Sequence, residues 1–203
     1  AKNARYLFEG LAGRGSPQIR AAALAGLVSL RGREMVPDLF KALREGSDPL
    51  AETAARMLPD ILDPSTVRPL ARDLDSLPDD RVPMALEILA RVTPDETLPI
   101  LRSMLDADEP PTASMALAII GRIGEREDLA RCFDWAAHDD EEASGPAREV
   151  LSYDHLPGTD QFLLKKLDPG AAPEDAALAI ELLSKREHPE LLDRLLDPAW
   201  YDD

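Results

Sequence analysis

Residues 48–77 read DPLAETAARMLPDILDPSTVRPLARDLDSL, and this stretch decides the fold. Apolar residues recur through Ala54 and Leu58 at the 3.6-residue period of an amphipathic helix. The turn sequence that begins at Asp63 ends this pattern, and a second apolar stripe starts at Leu70. The stretch therefore predicts a helical hairpin, and neither of its helices can bury its stripe alone.

The same pattern recurs along the chain at steps of 31 residues. In the first helix of each hairpin, a row of alanines is followed four positions later by a row of large residues: Ala23, Ala54, Ala85, Ala116 and Ala147, then Leu27, Leu58, Leu89, Ile120 and Leu151. The second helices carry Leu39, Leu70, Leu101, Cys132 and Leu163, then Leu43, Leu74, Leu105, Ala136 and Leu167. A last step of 29 residues gives Ala176 and Ile180, then Leu192 and Leu196. A period of this size indicates an array of stacked repeats.

The periodicity predicts one all-α domain over residues 1–203. It divides into a partial repeat at 4–15 and repeats at about 16–46, 47–77, 78–108, 109–139, 140–168 and 169–197. The partial repeat overlays a second helix and lacks a first helix, which predicts a fragment of a larger protein. An open terminal repeat exposes the face meant for a neighbour, so we expect end-to-end self-association there.

Helix boundaries follow from capping residues and prolines. N-caps are predicted at Ser16, Asp48 and Asp79, and first-turn prolines of second helices at Pro37, Pro69 and Pro99. Pro59 is predicted inside a first helix, where a proline kinks the helix. Repeat 140–168 fits the pattern worst, because Gly145-Pro146 interrupts its first helix and Pro157-Gly158 delays its second. It is either a docking site for a ligand or neighbouring domain, or a repeat whose sequence has diverged from the pattern.

The amino-acid composition limits the classes of function that are expected. Thirty-nine acidic against 23 basic residues give a net charge of −16, which disfavours binding to a phosphate backbone. No apolar run approaches the roughly 20 residues that span a bilayer, and no leader sequence is recognisable, so the cytoplasm is the expected compartment. The single cysteine, Cys132, excludes an internal disulfide and is expected to be a buried, inert thiol.

A family resemblance rests on the first full repeat. PQIRAAALAGL at 17–27, followed by MVPDLFKAL at 35–43, resembles HEAT-like repeats of the type grouped with phycobilisome lyases. The resemblance covers nearly the whole chain and is weakest after Asp139. It implies a right-handed α-solenoid, a HEAT-like superhelix of antiparallel hairpins, with the second helices lining the concave side. It does not by itself imply lyase chemistry, because fold does not fix function.

One row of residues is the main functional hint. It lies two positions after the first stripe residue of each second helix, about 200° round the helix from the core. The row holds Glu9, Lys41, Arg72, Ser103, Asp134, Lys165 and Arg194. Arg44, Arg102, Arg131 and Lys166 lie near it. We interpret this as a concave basic strip for an acidic or extended peptide; the alternative is an ordinary solvent-facing surface.

Trp135 stands one position past that row, either as a binding anchor or packed against a neighbouring repeat. The histidines His138, His155 and His188 lack ligand spacing, and no catalytic motif is recognisable, so no metal, cofactor or catalytic residue is predicted. The sequence predicts a non-enzymatic scaffold that binds a protein or an acidic, extended peptide. Two alternatives remain: a bilin-lyase-like protein that handles a tetrapyrrole, implied by the resemblance alone, and a nucleic-acid-binding HEAT-like protein.

Overall fold

The computed structural model describes residues 2–107, 109–153, 156–168 and 170–186, and within these ranges the chain is all-α, without a strand. The chain divides into two compact units, Ala1–Thr97 and Leu98–Asp203. The helices before the boundary are α1 (Lys2–Arg14), α2 (Pro17–Arg31), α3 (Val36–Glu45), α4 (Asp48–Ile61), α5 (Pro64–Arg72) and α6 (Val82–Val92). Helix α7 (Pro94–Asp106) runs through it, and α8 (Pro110–Ile123), α9 (Leu129–Ala136), α10 (Glu141–Tyr153), α11 (Thr159–Lys165) and α12 (Pro173–Lys185) follow.

In each unit, the first helices of consecutive predicted repeats pack side by side. In the first unit α2 packs on α4 and α4 packs on α6, which are the first helices of three consecutive repeats. In the second unit α8, α10 and α12 pack in the same order. The second helices α3 and α5 pack against the first helix that follows each of them, as do α9 and α11 in the second unit. Within each unit, consecutive predicted repeats are therefore joined through their first helices, and also where a second helix packs on the first helix that follows it.

The rows predicted to be apolar form the core of both units. All five alanines from Ala23 to Ala147 are buried, as are all five large residues from Leu27 to Leu151. In the second helices, the row from Leu39 to Leu163 is also completely or almost completely buried. Alanine in one row lets paired helices approach, and the large residues four positions later fill the space between them. The 31-residue pattern is thus the pattern of the core.

Two predicted core positions lie at the edge of the core. Leu74 is only half-buried because α5 ends at Arg72 and Leu74 opens a short 3₁₀ segment instead. Ile180 is half-buried because the buried face of α12 runs through Ala176, Ala179 and Leu183. Leu192 and Leu196 lie outside the described residues.

The predicted N-caps are correct at one position of three. Ser16 caps α2, and its hydroxyl accepts a hydrogen bond from the backbone N–H of Ile19 at 3.3 Å. The prediction for Asp48 is wrong, because Asp48 is the first residue of α4 and Ser47 holds the cap position. The prediction for Asp79 is also wrong, because residues 79–81 form a 3₁₀ turn before α6 starts at Val82.

The prolines divide in the same way. Pro37 lies in the first turn of α3, and Pro59 lies inside α4, both as predicted. The predictions for Pro69 and Pro99 are wrong, since α5 begins at Pro64 and α7 begins at Pro94, which places both prolines inside their helices. The start of α5 is fixed by the Asp63 side chain, which accepts hydrogen bonds at 3.0 Å from the backbone N–H groups of residues 65 and 66.

The irregular repeat is less interrupted than its sequence predicts. Helix α10 is continuous through Gly145-Pro146, so the predicted interruption is wrong. The predicted delay of the second helix is confirmed, because α11 begins only at Thr159. Gly158 precedes it at φ 83°, a left-handed conformation that glycine adopts without strain.

Candidate functional site

The row that contains the predicted basic strip points away from the core. Every described member is exposed: Glu9, Lys41, Arg72, Ser103, Asp134 and Lys165. Arg194 lies outside the described residues. The outward direction follows from the helical period, because a residue about 200° from a buried position faces solvent.

Three members of this row are cations without a partner among the residues that the structure describes. Lys41 on α3 and Arg72 at the end of α5 make no hydrogen bond or ion pair with any described residue of the first unit. Lys165 at the end of α11 has none within the described part of the second unit. These side chains are therefore available to an external anion.

Arg102, in contrast, is held by carboxylates of its own chain. Its Nε donates to Asp128 Oδ1 at 2.6 Å and its Nη2 donates to Asp128 Oδ2 at 3.0 Å, which makes a bidentate pair. Glu125 and Glu127 hold the other edges of the guanidinium at 3.2 Å and 2.6 Å. Because all of its donors face these carboxylates, Arg102 is a structural residue and offers little to a partner.

Asp128 is fully buried and stays ionised. Burial raises the pKa of its carboxyl group, but hydrogen bonds from Arg102 and from the backbone N–H of Glu125 lower that pKa by more, so the net shift is downward. Asp128 thus links α7, which carries Arg102, to the start of α9. It joins successive second helices within the second unit.

The other basic residues near the strip are also paired. Arg131 donates to Asp106 at 3.0 Å, and Arg44 donates to Asp73 at 3.3 Å. Lys166 donates to Asp175 at 2.7 Å, and its Nζ lies 4.4 Å from the centre of the Phe133 ring. Exposed pairs of this kind add little to stability, but they neutralise the charge that a partner would otherwise meet.

Trp135 packs inside the second unit. Its side chain is only 6% exposed, and its indole N–H donates to the backbone carbonyl of Leu105 on α7 at 3.3 Å. The His138 ring lies against it at a centroid distance of 4.9 Å. The edge of Trp135 lines a cavity of about 250 Å³ together with Arg131 and Asp134. This geometry agrees with packing of Trp135 against a neighbouring repeat. Little of the tryptophan surface is left to contact a partner.

Cys132 is a buried thiol within the row of large residues of α9. It is fully buried, and burial raises its pKa to about 12. A thiol with this pKa carries almost no thiolate at neutral pH and is a poor nucleophile and a poor metal ligand. Among the described residues, no three His, Cys, Asp or Glu side chains are grouped so that they could hold a metal ion.

The buried arginine Arg81 and its partner Asp48 form a contact that the sequence pattern did not predict. Arg81 is 8% exposed and donates to Asp48 Oδ1 at 2.7 Å, which joins the start of one repeat to the start of the next. The sequence carried an indication of such contacts, because several pairs of opposite charge stand about one repeat apart along the chain. They include Arg33 with Asp63 at 3.2 Å, Arg68 with Glu96 at 3.1 Å and Arg91 with Asp60 at 3.2 Å.

The described residues contain no helix that is both long and apolar enough to cross a membrane. In the partial repeat at 4–15, the side chains of Tyr6 and Leu7 on α1 are exposed, by 72% and 59%.

No family model, curated protein or solved structure matches this chain. The resemblance to HEAT-like repeats stays a prediction from the sequence pattern.

Proposed function

We propose that this protein is a HEAT-like α-solenoid that binds another protein, through an acidic or extended segment, and performs no chemistry. The architecture is supported by the 31-residue period and by the packing of consecutive first helices within each unit. A right-handed superhelix of six hairpins stacked about 10 Å apart is longer than a compact globule. Small-angle X-ray scattering tests this, since a compact chain of this length has a radius of gyration of about 17 Å and a solenoid exceeds it.

The observation that carries the binding proposal is a contrast among the basic residues. Lys41, Arg72 and Lys165 share one position of the repeat, are exposed and have no partner among the described residues. Most neighbouring cations are neutralised by carboxylates of their own unit, as Arg102 and Arg131 are. Unpaired cations that recur at one repeat position in a chain of charge −16 favour an acidic partner segment.

The experiment is a charge reversal. Lys41, Arg72 and Lys165 are changed together to Glu, and crosslinked partners are recovered from the source cells with the wild-type chain and with the variant. The matched control reverses Arg14, Arg56 and Arg126, which are also exposed and unpaired among the described residues but lie outside the row. The net charge changes equally in both variants.

We expect the row variant to lose partners that the control variant retains. With a purified partner, the dissociation constant should rise at least tenfold in the row variant, roughly 1.4 kcal/mol, and the difference should shrink at high salt. Equal recovery by both variants would remove the row from the proposal.

The cytoplasm is the proposed compartment, because a buried, unpaired Cys132 needs no oxidising environment.

A further inference from the structure

A groove in the first unit contains two cations that have no hydrogen-bond or ion-pair partner in the described part of the chain. It has a volume of about 350 Å³ and lies between α1, α2, α3 and the start of α4. Leu24, Ala42 and Leu50 provide its apolar lining, and Arg20 and Lys41 provide its positive charge. A volume of this size accommodates a few side chains of a peptide.

Arg20 is the unusual residue of this groove. Its Nε is buried and has no hydrogen-bond partner among the described residues. The repeat places uncharged residues at the equivalent positions, including Ala51 and Ala113, which are fully buried. Arg20 thus brings a cation into a position that the next four repeats keep uncharged. A partly buried guanidinium whose Nε has no acceptor among the described residues is costly, so its presence points to a ligand that supplies a strong acceptor, such as an anion.

The lining also selects among anions. Lys41 lies on α3 three residues after Asp38 and four residues before Glu45, and both carboxylates line the groove. Neither acid makes an ion pair with a described residue. The two cations and the two acids of the lining leave it without net charge. Desolvating a dianion costs more than desolvating a monoanion, and a lining without net charge does not offset that extra cost. The groove therefore suits a single carboxylate better than a phosphate group.

We propose that this groove binds a carboxylate side chain of an extended partner segment. The carboxylate accepts hydrogen bonds from Arg20 and Lys41, and apolar side chains next to it contact Leu24, Ala42 and Leu50. This inference rests on the proposed function and names the chemistry of the segment that is bound. Arg20 is its specific residue, because Lys41 also belongs to the exposed row.

Peptide titration tests the ligand chemistry. The probes are acetyl-Leu-Glu-Leu amide, its Gln counterpart and its phosphoserine counterpart, added to the full chain while the ¹H–¹⁵N resonance of Arg20 Nε is followed by NMR. We expect a saturable shift with the Glu peptide and binding roughly tenfold weaker or more with the Gln peptide, since one charge-assisted interaction is lost. Equal binding of the two would overturn the proposal. Tighter binding of the phosphoserine peptide would overturn the choice of a carboxylate.

Variants test the residues. Arg20→Met and Lys41→Met should each weaken binding of the Glu peptide, Arg20→Met by about tenfold or more. Arg56→Met is the matched control, because Arg56 is an exposed, unpaired arginine on α4 of the same unit, and it should bind as wild type. Unchanged binding in Arg20→Met would overturn the proposal.

Stability provides an independent readout. Removing a partly buried guanidinium whose Nε lacks an acceptor should raise the Tm of the free chain, so Arg20→Met is expected to gain about 2 °C while it loses the peptide. A Tm lowered by a similar amount, or a variant that fails to fold, would show that Arg20 is already satisfied in the free chain and would overturn the premise.

The two proposals fail in different ways. Suppose that no peptide shifts the Arg20 Nε resonance, while reversing the charges of Lys41, Arg72 and Lys165 still abolishes recovery of the cellular partners. Only the groove proposal then fails. If the Glu peptide binds at Arg20 while the row variant and its control recover the same partners, the row proposal fails and the groove remains.

Discussion

At the residue scale, the bidentate pair of Arg102 and Asp128 makes a definite prediction about stability. Asp128→Asn keeps the size of the side chain but leaves the guanidinium with only the exposed carboxylates of Glu125 and Glu127. We expect the free energy of unfolding at neutral pH to fall by about 2 kcal/mol, measured by urea denaturation. Asp134→Asn is the control, because Asp134 is exposed and unpaired among the described residues of α9, and it should change stability little.

The same pair predicts a pH dependence. The pKa of Asp128 is lower in the folded chain than its ordinary value, because the hydrogen bonds from Arg102 and Glu125 outweigh the effect of burial. Such a group stabilises the fold fully above its unfolded pKa of about 4, and this contribution is lost as the pH falls through the folded pKa. The stability difference between wild type and Asp128→Asn should therefore be constant near neutral pH and shrink in acid. A difference that grows in acid would contradict this sign.

Cys132 makes a chemical prediction. Because burial raises its pKa to about 12, the thiolate fraction at pH 8 is on the order of 10⁻⁴. Iodoacetamide should therefore leave the folded chain unmodified and alkylate it quickly in urea, as measured by mass spectrometry. Rapid alkylation of the folded chain would show that α9 does not bury this position.

At the element scale, the alanine row determines how closely first helices approach. Ala116 on α8 is fully buried, whereas Ala118 on the same helix is exposed. Ala116→Leu forces three extra carbons into a packed contact and should cost about 2 kcal/mol, whereas Ala118→Leu should stay within about 0.5 kcal/mol of wild type. Urea unfolding of the two variants measures the difference. Equal stability would mean that the row does not set the spacing.

The period of the elements could be predicted from the sequence, and their ends only in part. Burial repeats every 31 residues because each large residue must face a neighbouring repeat, so the rows through Leu58 and Leu89 were readable. Helix starts depend on competition between adjacent candidates. Ser47 took the cap position predicted for Asp48, whose carboxylate pairs with Arg81 instead. Pro69 stays inside α5 because Asp63 starts the helix earlier and one missing backbone hydrogen bond is tolerated.

For the candidate site, the sequence predicted which basic residues face outward, but not which of them form ion pairs within the chain. The helical period places Lys41, Arg72 and Lys165 outward, and they are exposed. The same reasoning could not distinguish them from Arg102 and Arg131, because pairing depends on which carboxylate the neighbouring repeat presents. That depends on side chains 25 or 26 residues away, outside any local pattern.

At the scale of the whole molecule, the distribution of charge matters more than its total. The net charge of −16 alone disfavours a nucleic acid, but a segregated basic surface would reverse that expectation. Within each unit, arginines are instead held by carboxylates about one repeat away, as Arg68 is by Glu96 and Arg131 by Asp106. Among the described residues, much of the positive charge is therefore paired with carboxylates of neighbouring repeats, which leaves fewer cations free for phosphates.

This distribution predicts that the full chain does not bind duplex DNA. Binding needs several cations that release counterions from the phosphates, and a cation already paired with a carboxylate must first lose that partner. We expect no retardation of a labelled 30-base-pair duplex at about 50 mM salt, where electrostatic binding is strongest. The variant with Glu at positions 41, 72 and 165 should give the same result, because we propose an acidic protein segment as the ligand of those three cations. A retarded band that disappears with added salt, and that also disappears in this variant, would assign the unpaired row to nucleic acid instead of protein.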